Sequence, residues 1–224
     1  MTVTDSIPVS EITYFWHNGC PYVHRSSIVL HEKGLWDKIE KKHIDLKNKP
    51  EWYLQLYPIG KVPAIQIKDT FLPESAIIAE FFIENFEGVG PELLPSNPLV
   101  RAKIRLFIQQ FQDAISPAFK YARGPVDDEA LAVVTKFVTT VQNSLTALTL
   151  SDDGPFLLGS KFSLAEVITA PFALRLSLAL EKKGVALPDS DKFARFHEWF
   201  NAVTTRESVL ETFLGKEAYL AQIN

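Results

Sequence analysis

The pattern of apolar residues changes once along this chain, across residues 88–98, and that change limits what the chain can fold into. The stretch holds two Gly, three Pro, one Ser and one Asn, residues that punctuate helices and strands. Ahead of it, short β-branched and aromatic runs alternate with helical patterns. Behind it, strand patterns vanish. The expected organisation is two domains, residues 1–87 and 98–224, joined by a linker at 88–97. A chain of 224 residues, 46% of them hydrophobic, can supply a core to each.

In the front half, residues 11–17 (Glu-Ile-Thr-Tyr-Phe-Trp-His) have the composition of a buried strand. Asn18-Gly19 signals a turn, and Cys20-Pro21 follows. Proline suits the first turn of a helix because no N–H is needed there, and Val23, Ile28, Leu30 and Leu35 carry the helical pattern onward. Residues 38–46 predict a second strand with loose alternation. Pro50 can open a short helix that Tyr57-Pro58-Ile59-Gly60 ends. Residues 62–67 and 70–72 predict two more strands, and residues 74–86 a helix through Ile77, Ile78, Phe81 and Phe82. The order is βαβαββα, a small mixed sheet with helices.

The rear half is helical throughout. Ile104, Phe107, Ile108, Phe111 and Ile115 recur at helical spacing, as do Leu131, Val134, Phe137, Val138, Val141, Leu145 and Leu148. Gly124-Pro125 breaks the chain between the two runs. Ser163-Leu164-Ala165-Glu166 has the pattern of a capping box. The helix it opens extends to about residue 182 despite Pro171, a residue that costs about 3 kcal/mol in an isolated helix. Residues 193–203 and 206–214 predict two final helices.

Cys20 is the only cysteine. It falls between a strand and a helix, at the N-cap, where converging N–H groups and the helix dipole favour negative charge. A thiol so placed ionises more readily than a free one. Arg25, about one turn on, can add to the effect. The competing reading is a buried packing cysteine. Position three after Cys20 is Val23, so no internal partner can resolve a mixed disulfide. Turnover through disulfide chemistry needs an outside thiol, and glutathione is the abundant cytosolic one. His17, Cys20 and His24 lie close together in the sequence. The four ligands of a structural zinc are not assembled by that spacing, and no metal is expected.

A net charge of −4 gives no reason to expect a nucleic-acid partner. No apolar run approaches the ~18 residues of a membrane span, and the N-terminus lacks the pattern of a secretory signal. The expectation is a cytoplasmic protein.

Cys20-Pro21-Tyr22, the run Asp45-Leu46-Lys47-Asn48-Lys49-Pro50-Glu51-Trp52, Gly60-Lys61-Val62-Pro63 and Pro73-Glu74-Ser75 occur in the order found in cytosolic glutathione transferases. The chain resembles the omega class most. The resemblance implies an α/β thioredoxin-like N-terminal domain, an all-α C-terminal helical domain, and a cis peptide at Val62-Pro63. It implies glutathione as co-substrate, held by Tyr22, Lys47, Val62, Pro63, Glu74 and Ser75. In that reading Ser75 binds the γ-glutamyl carboxylate at a helix N-terminus, Glu74 the ammonium, and Lys47 the glycyl carboxylate. Val62 pairs with the cysteinyl backbone, and Tyr22 flanks the sulfur. Family members take a second substrate between the domains, which makes Phe107, Phe111, Ile115, Tyr121, Phe172 and Arg175 candidates for a pocket receiving a small hydrophobic or glutathionylated substrate. The family also suggests a homodimer. Its capping motif usually ends in Asp, where this chain has Glu166.

The function so implied is a glutathione-dependent thiol transferase working through a mixed disulfide on Cys20, with dehydroascorbate reduction as a related activity. Two alternatives belong to other classes. One is a binding protein for hydrophobic ligands. The other is a redox-regulated protein that inserts into membranes, which the lack of a long apolar segment in residues 21–45 disfavours.

Overall fold

A strand that carries large apolar residues on both faces can be satisfied only at the centre of a covered sheet, and β1 (Ile12–Trp16) has that composition. In the computed structural model, which describes residues 6–124, 127–188 and 191–223, Ile12, Tyr14 and Phe15 of β1 are buried. Successive side chains of a strand point to opposite faces. Tyr14 meets Phe82 edge-on at 6.1 Å, while Phe15 packs on Tyr53 at 5.1 Å.

The first compact unit, Met1–Glu92, is built around this strand. A 3-10 turn, Val9–Glu11, precedes it. After β1 come α1 (Pro21–Glu32), β2 (Glu40–His43), α2 (Glu51–Leu56), β3 (Ala64–Ile67), β4 (Thr70–Pro73) and α3 (Ser75–Asn85). The sheet order is β2-β1-β3-β4, with β1 parallel to β2 and antiparallel to β3, and β3 antiparallel to β4. Tyr14 stands opposite Ile65 and Phe15 opposite Ala64. Helices α1 and α3 pack on each other, on the Tyr14 side. The Tyr14 hydroxyl donates to the Val23 carbonyl at 3.1 Å and lies 2.8 Å from Ser26 Oγ. Burial pushes the Tyr14 phenol well above its ordinary value, so it serves as a neutral hydroxyl tying β1 to α1. The βαβαββα order matches the sequence pattern.

The second unit, Leu93–Asn224, is helical: α4 (Pro98–Arg123), α5 (Asp128–Leu148), α6 (Leu164–Lys182), α7 (Ala194–Thr205), α8 (Glu207–Glu211) and α9 (Lys216–Leu220). The division between the units falls at Glu92 and Leu93. Asn97 caps α4, its Oδ1 accepting from the Leu99 N–H at 2.9 Å. Pro125, read above as part of a break, lies outside the described residues. α6 is apolar on nearly all sides and is buried along most of its length, which is how such a helix avoids water. It continues through Pro171, and the Arg175 guanidinium donates to the Pro171 carbonyl at 3.0 Å. α8 falls within the helix expected at 206–214, and α9 lies beyond it, after Gly215 at φ +98, with no counterpart in the sequence reading.

The capping box at the start of α6 forms as expected and goes further. Glu166 is fully buried. Its carboxylate accepts from the Ser163 N–H at 3.0 Å, the Ser163 hydroxyl at 2.8 Å, the Leu157 N–H at 2.9 Å and the Trp199 indole at 3.3 Å. Burial nonetheless raises its pKa, outweighing these donors. Removing the carboxylate would strand several buried donors, each costing about 1–3 kcal/mol. Glu166→Ala is therefore expected to lower stability by on the order of 3–5 kcal/mol, measured by urea unfolding. A loss below about 1 kcal/mol would show that the donors find other partners.

Candidate active site

Cys20 is the N-cap of α1, with φ −80 and ψ 121, and Pro21 is the first helical residue. Its side chain is partly exposed. The Cys20 N–H closes a turn onto the His17 carbonyl at 3.1 Å, and the His24 N–H bonds the Cys20 carbonyl at 3.1 Å. The first-turn amides have no carbonyl within the helix to bond; the Cys20 side chain makes no capping hydrogen bond to them, and the helix dipole favours negative charge at this end. Sγ makes a long contact of 3.7 Å in which the thiol donates to the Val62 carbonyl.

Cys20 opens into a cavity of about 530 Å³ lined by Tyr22, Leu46, Lys49, Tyr57, Gly60, Lys61, Val62, Pro63, Pro73, Glu74 and Ser75. That volume is within the ~300–1,000 Å³ range of small-ligand sites. Five of the six proposed glutathione contacts, Tyr22, Val62, Pro63, Glu74 and Ser75, are brought together here. The sixth, Lys47, is exposed, and its N–H donates to Asp45 Oδ1 at 2.9 Å. The cations on the cavity wall are Lys49 and Lys61. Both lie inside the motifs quoted for the family resemblance, but which lysine of Lys47-Asn48-Lys49 faces inward depends on the path of the loop into α2.

The segment that follows α2 is held against it. Tyr53 donates its hydroxyl to the Lys61 carbonyl at 2.7 Å. Gly60 has φ +61, and a Cβ there would lie 2.7 Å from Leu54 Cδ2 and 3.1 Å from Lys49 Cδ. Only glycine lets the chain pass so close to the lysine stem. The Val62–Pro63 peptide is cis. Across the cavity, Glu74 caps α3 with φ +78 and ψ 110. A non-glycine residue in the left-handed region is uncommon, and such strain clusters at functional sites. Ser75, the first residue of α3, is buried and accepts a hydrogen bond from Arg25 Nη1 at 3.0 Å. Tyr57 is held above its ordinary pKa by burial and then by the Glu74 charge.

Of the residues proposed for a second-substrate pocket, Phe107, Phe111 and Ile115 are buried. Phe107 and Phe111 meet Trp199 edge-on at 5.7 Å and 5.8 Å, an aromatic cluster of the helical core. Tyr121 bonds Glu129 through its hydroxyl. Phe172 lies 6.5 Å from Phe119. Arg175 is buried with its guanidinium 5.0 Å from the Phe213 ring. Leu46, Lys49, Tyr57, Gly60, Lys61 and Pro73 are cavity residues that were not singled out from the sequence as contacts. Among the described residues no cluster of three or more His, Cys, Asp or Glu could hold a metal ion, and no helix is long and apolar enough to cross a membrane.

The turn ahead of Cys20 contains a titratable support. The Gly19 N–H donates to His17 Nδ1 at 3.0 Å, a bond that only an unprotonated ring nitrogen accepts. Burial, then the neighbouring His43, lower the His17 pKa against the opposing pull of Asp45. The unfolded chain therefore binds the proton more readily, and stability rises with pH through the imidazole range. Acidification below about pH 6.5 should cost stability. In His17→Asn, whose amide oxygen can accept the same bond without titrating, the fall in Tm between about pH 7.5 and 5.5 should be smaller. Equal falls in both proteins would remove His17 from this role.

Comparison with known proteins gives concordant results. Residues 19–85 match the model of the glutathione S-transferase N-terminal domain, and residues 102–212 that of the C-terminal domain. The solved structure of glutathione transferase Omega 3C from Trametes versicolor is 30% identical, with a TM-score of 0.79 over 97% of this chain and 91% of that one. Glutathione S-transferase L2, chloroplastic, of Arabidopsis thaliana is 35% identical over 72% of this chain, a stretch spanning 52% of that relative. The probable glutathione S-transferase DHAR1, cytosolic, of Oryza sativa subsp. japonica is 29% identical over 90% of this chain and 87% of its own length.

Proposed function

The chain belongs to the glutathione S-transferase family, and within it we propose an omega-like, cysteine-type member that catalyses glutathione-dependent thiol transfer. The observation that carries this reading is a lone cysteine at a helix N-terminus, opening on a cavity with cations on one side and a second helix N-terminus on the other. A γ-glutamyl-cysteinyl-glycine backbone has matching chemistry. Its α-carboxylate suits Ser75 and the first turn of α3, and its ammonium suits Glu74. Its glycyl carboxylate suits Lys49, with Lys61 nearby. An extended cysteinyl residue can pair with the Val62 backbone as an added strand, which brings its sulfur to Cys20.

The chemistry is two thiol–disulfide exchanges. The Cys20 thiolate attacks the glutathione sulfur of a mixed disulfide, forming a Cys20–glutathione disulfide and releasing the other thiolate, which takes a proton. A second glutathione thiolate then attacks the glutathione sulfur of that adduct. Oxidised glutathione leaves and the Cys20 thiolate returns. The sum converts one mixed disulfide and one glutathione to a free thiol and oxidised glutathione. The same thiol can reduce dehydroascorbate or remove glutathione from aryl ketone adducts. Conjugation to electrophiles should be poor, because a hydroxyl, not a thiol, suits stabilisation of glutathione's own sulfur. The reading includes a cytoplasmic location and a homodimer.

Steady-state assays with a small glutathione mixed disulfide test the proposal. Cys20→Ser should lose transfer by ~10³-fold or more. Lys49→Ala should raise KM for glutathione ~10-fold, as expected for a charge-assisted contact, whereas Lys47→Ala should leave it nearly unchanged. Transfer that survives in Cys20→Ser would refute the mechanism. A larger effect at Lys47 than at Lys49 would refute the placement of the glycyl end.

A further inference from the structure

Arg25 does not line the cavity, yet it touches what does. It is 4% exposed, on the turn of α1 after Cys20. Its Nη1 donates to Ser75 Oγ at 3.0 Å, and its guanidinium carbon lies 5.2 Å from the centre of the Tyr22 ring. Burial pulls its pKa down to about 10, while negative charge on Tyr22 and on Cys20 opposes that pull. Electrostatic interaction is mutual: if charge on Cys20 favours the guanidinium, the guanidinium equally favours the thiolate.

Other ionisable groups face the same space. Lys61 is exposed and Lys49 partly so, and water screens such charges. Glu74 is exposed on the opposite wall. His17, its pKa lowered by burial and then by His43, flanks the turn, and the Tyr14 phenol stays protonated. The buried guanidinium acts through a lower dielectric than the wall lysines, so its field reaches further per unit charge. A hydroxyl carries one hydrogen and two lone pairs. With Arg25 on a lone pair, the hydrogen of Ser75 must turn to another acceptor, and an anion at the α3 N-terminus is the acceptor the cavity offers.

We propose that Arg25 is a positioning residue that joins the two ends of the cavity, orienting Ser75 as a donor to a ligand carboxylate and supporting the thiolate of Cys20. The ligand half rests on the reading of the cavity as a glutathione site; the sulfur half does not.

The test uses the full chain and the variants Arg25→Met, Arg25→Lys and Ser75→Ala, each checked for folding by circular dichroism and Tm. The first readout is the rate of Cys20 alkylation by iodoacetamide between about pH 4 and 10, specific because no other cysteine is present. Arg25→Met should move the midpoint up by about one pH unit, Arg25→Lys should restore it, and Ser75→Ala should leave it in place. The second readout is the Kd of S-methylglutathione, whose blocked sulfur cannot exchange. Arg25→Met, Arg25→Lys and Ser75→Ala should each weaken it ~10-fold, and Arg25→Met with Ser75→Ala should be little weaker than either alone. An unmoved midpoint in folded Arg25→Met overturns the sulfur half, and additive losses overturn the ligand half. If Arg25→Met does not fold, Arg25→Gln, which also removes the charge, decides the sulfur half, an unmoved midpoint overturning it, and normal S-methylglutathione binding in Arg25→Lys overturns the ligand half. Failure of the unmodified chain to bind S-methylglutathione would defeat the glutathione reading and with it the ligand half, while the alkylation result would still decide the sulfur half.

Discussion

The hydroxyl of Tyr14 fixes the geometry on which the site depends. It rises from the central strand, is wholly buried, and bonds the Val23 carbonyl and Ser26 of α1. Since α1 begins one residue after Cys20, holding its first turns against β1 also holds the sulfur at the end of the sheet. The other side of β1 makes the second half of the frame. Phe15 packs on Tyr53, whose hydroxyl bonds the Lys61 carbonyl and steadies the segment leading to Val62. The two faces of one strand thus place Cys20 and Val62 within 3.7 Å of each other, sulfur to carbonyl oxygen.

Charge in the cavity is arranged by burial as much as by sequence. The wall lysines remain in contact with water, so they can attract an anion without a large desolvation cost. Arg25 is buried, and its desolvation is offset by Ser75, the Tyr22 ring and the charge on Cys20. Glu74 sits in a backbone conformation unusual for any residue but glycine. Such local cost is tolerated where the surrounding structure holds the residue in place, here between β4 and the first turn of α3.

Much of the fold was legible in the sequence because it rests on local patterns. The aromatic run at β1, the turn at Asn18-Gly19 and the loss of strand character after residue 88 each act over short distances. The capping box was legible as well, but not its reach to Leu157 and Trp199, which needs the packed helical unit. The helical pattern of residues 206–214 holds α8, whereas α9, beyond Gly215 at φ +98, is too short to show a period in the sequence. In the site, Cys20 was legible from its place between a strand and a helix, and Val62 and Ser75 from the family resemblance; all three line one cavity. Lys49 could not be told from Lys47, since two residues of loop decide which ammonium turns inward. Arg25 could be placed near Cys20 by helical periodicity, but its bond to Ser75 joins residues fifty apart in sequence and exists only once α1 and α3 pack.

The central claim is that Cys20 is a nucleophilic monothiol that accepts glutathione. Intact-mass measurement after incubation with oxidised glutathione addresses it most directly. The account predicts a single glutathione-sized adduct on the chain, reversed by reduced glutathione and missing from Cys20→Ser. A chain that stays unmodified while its fold is intact would contradict it.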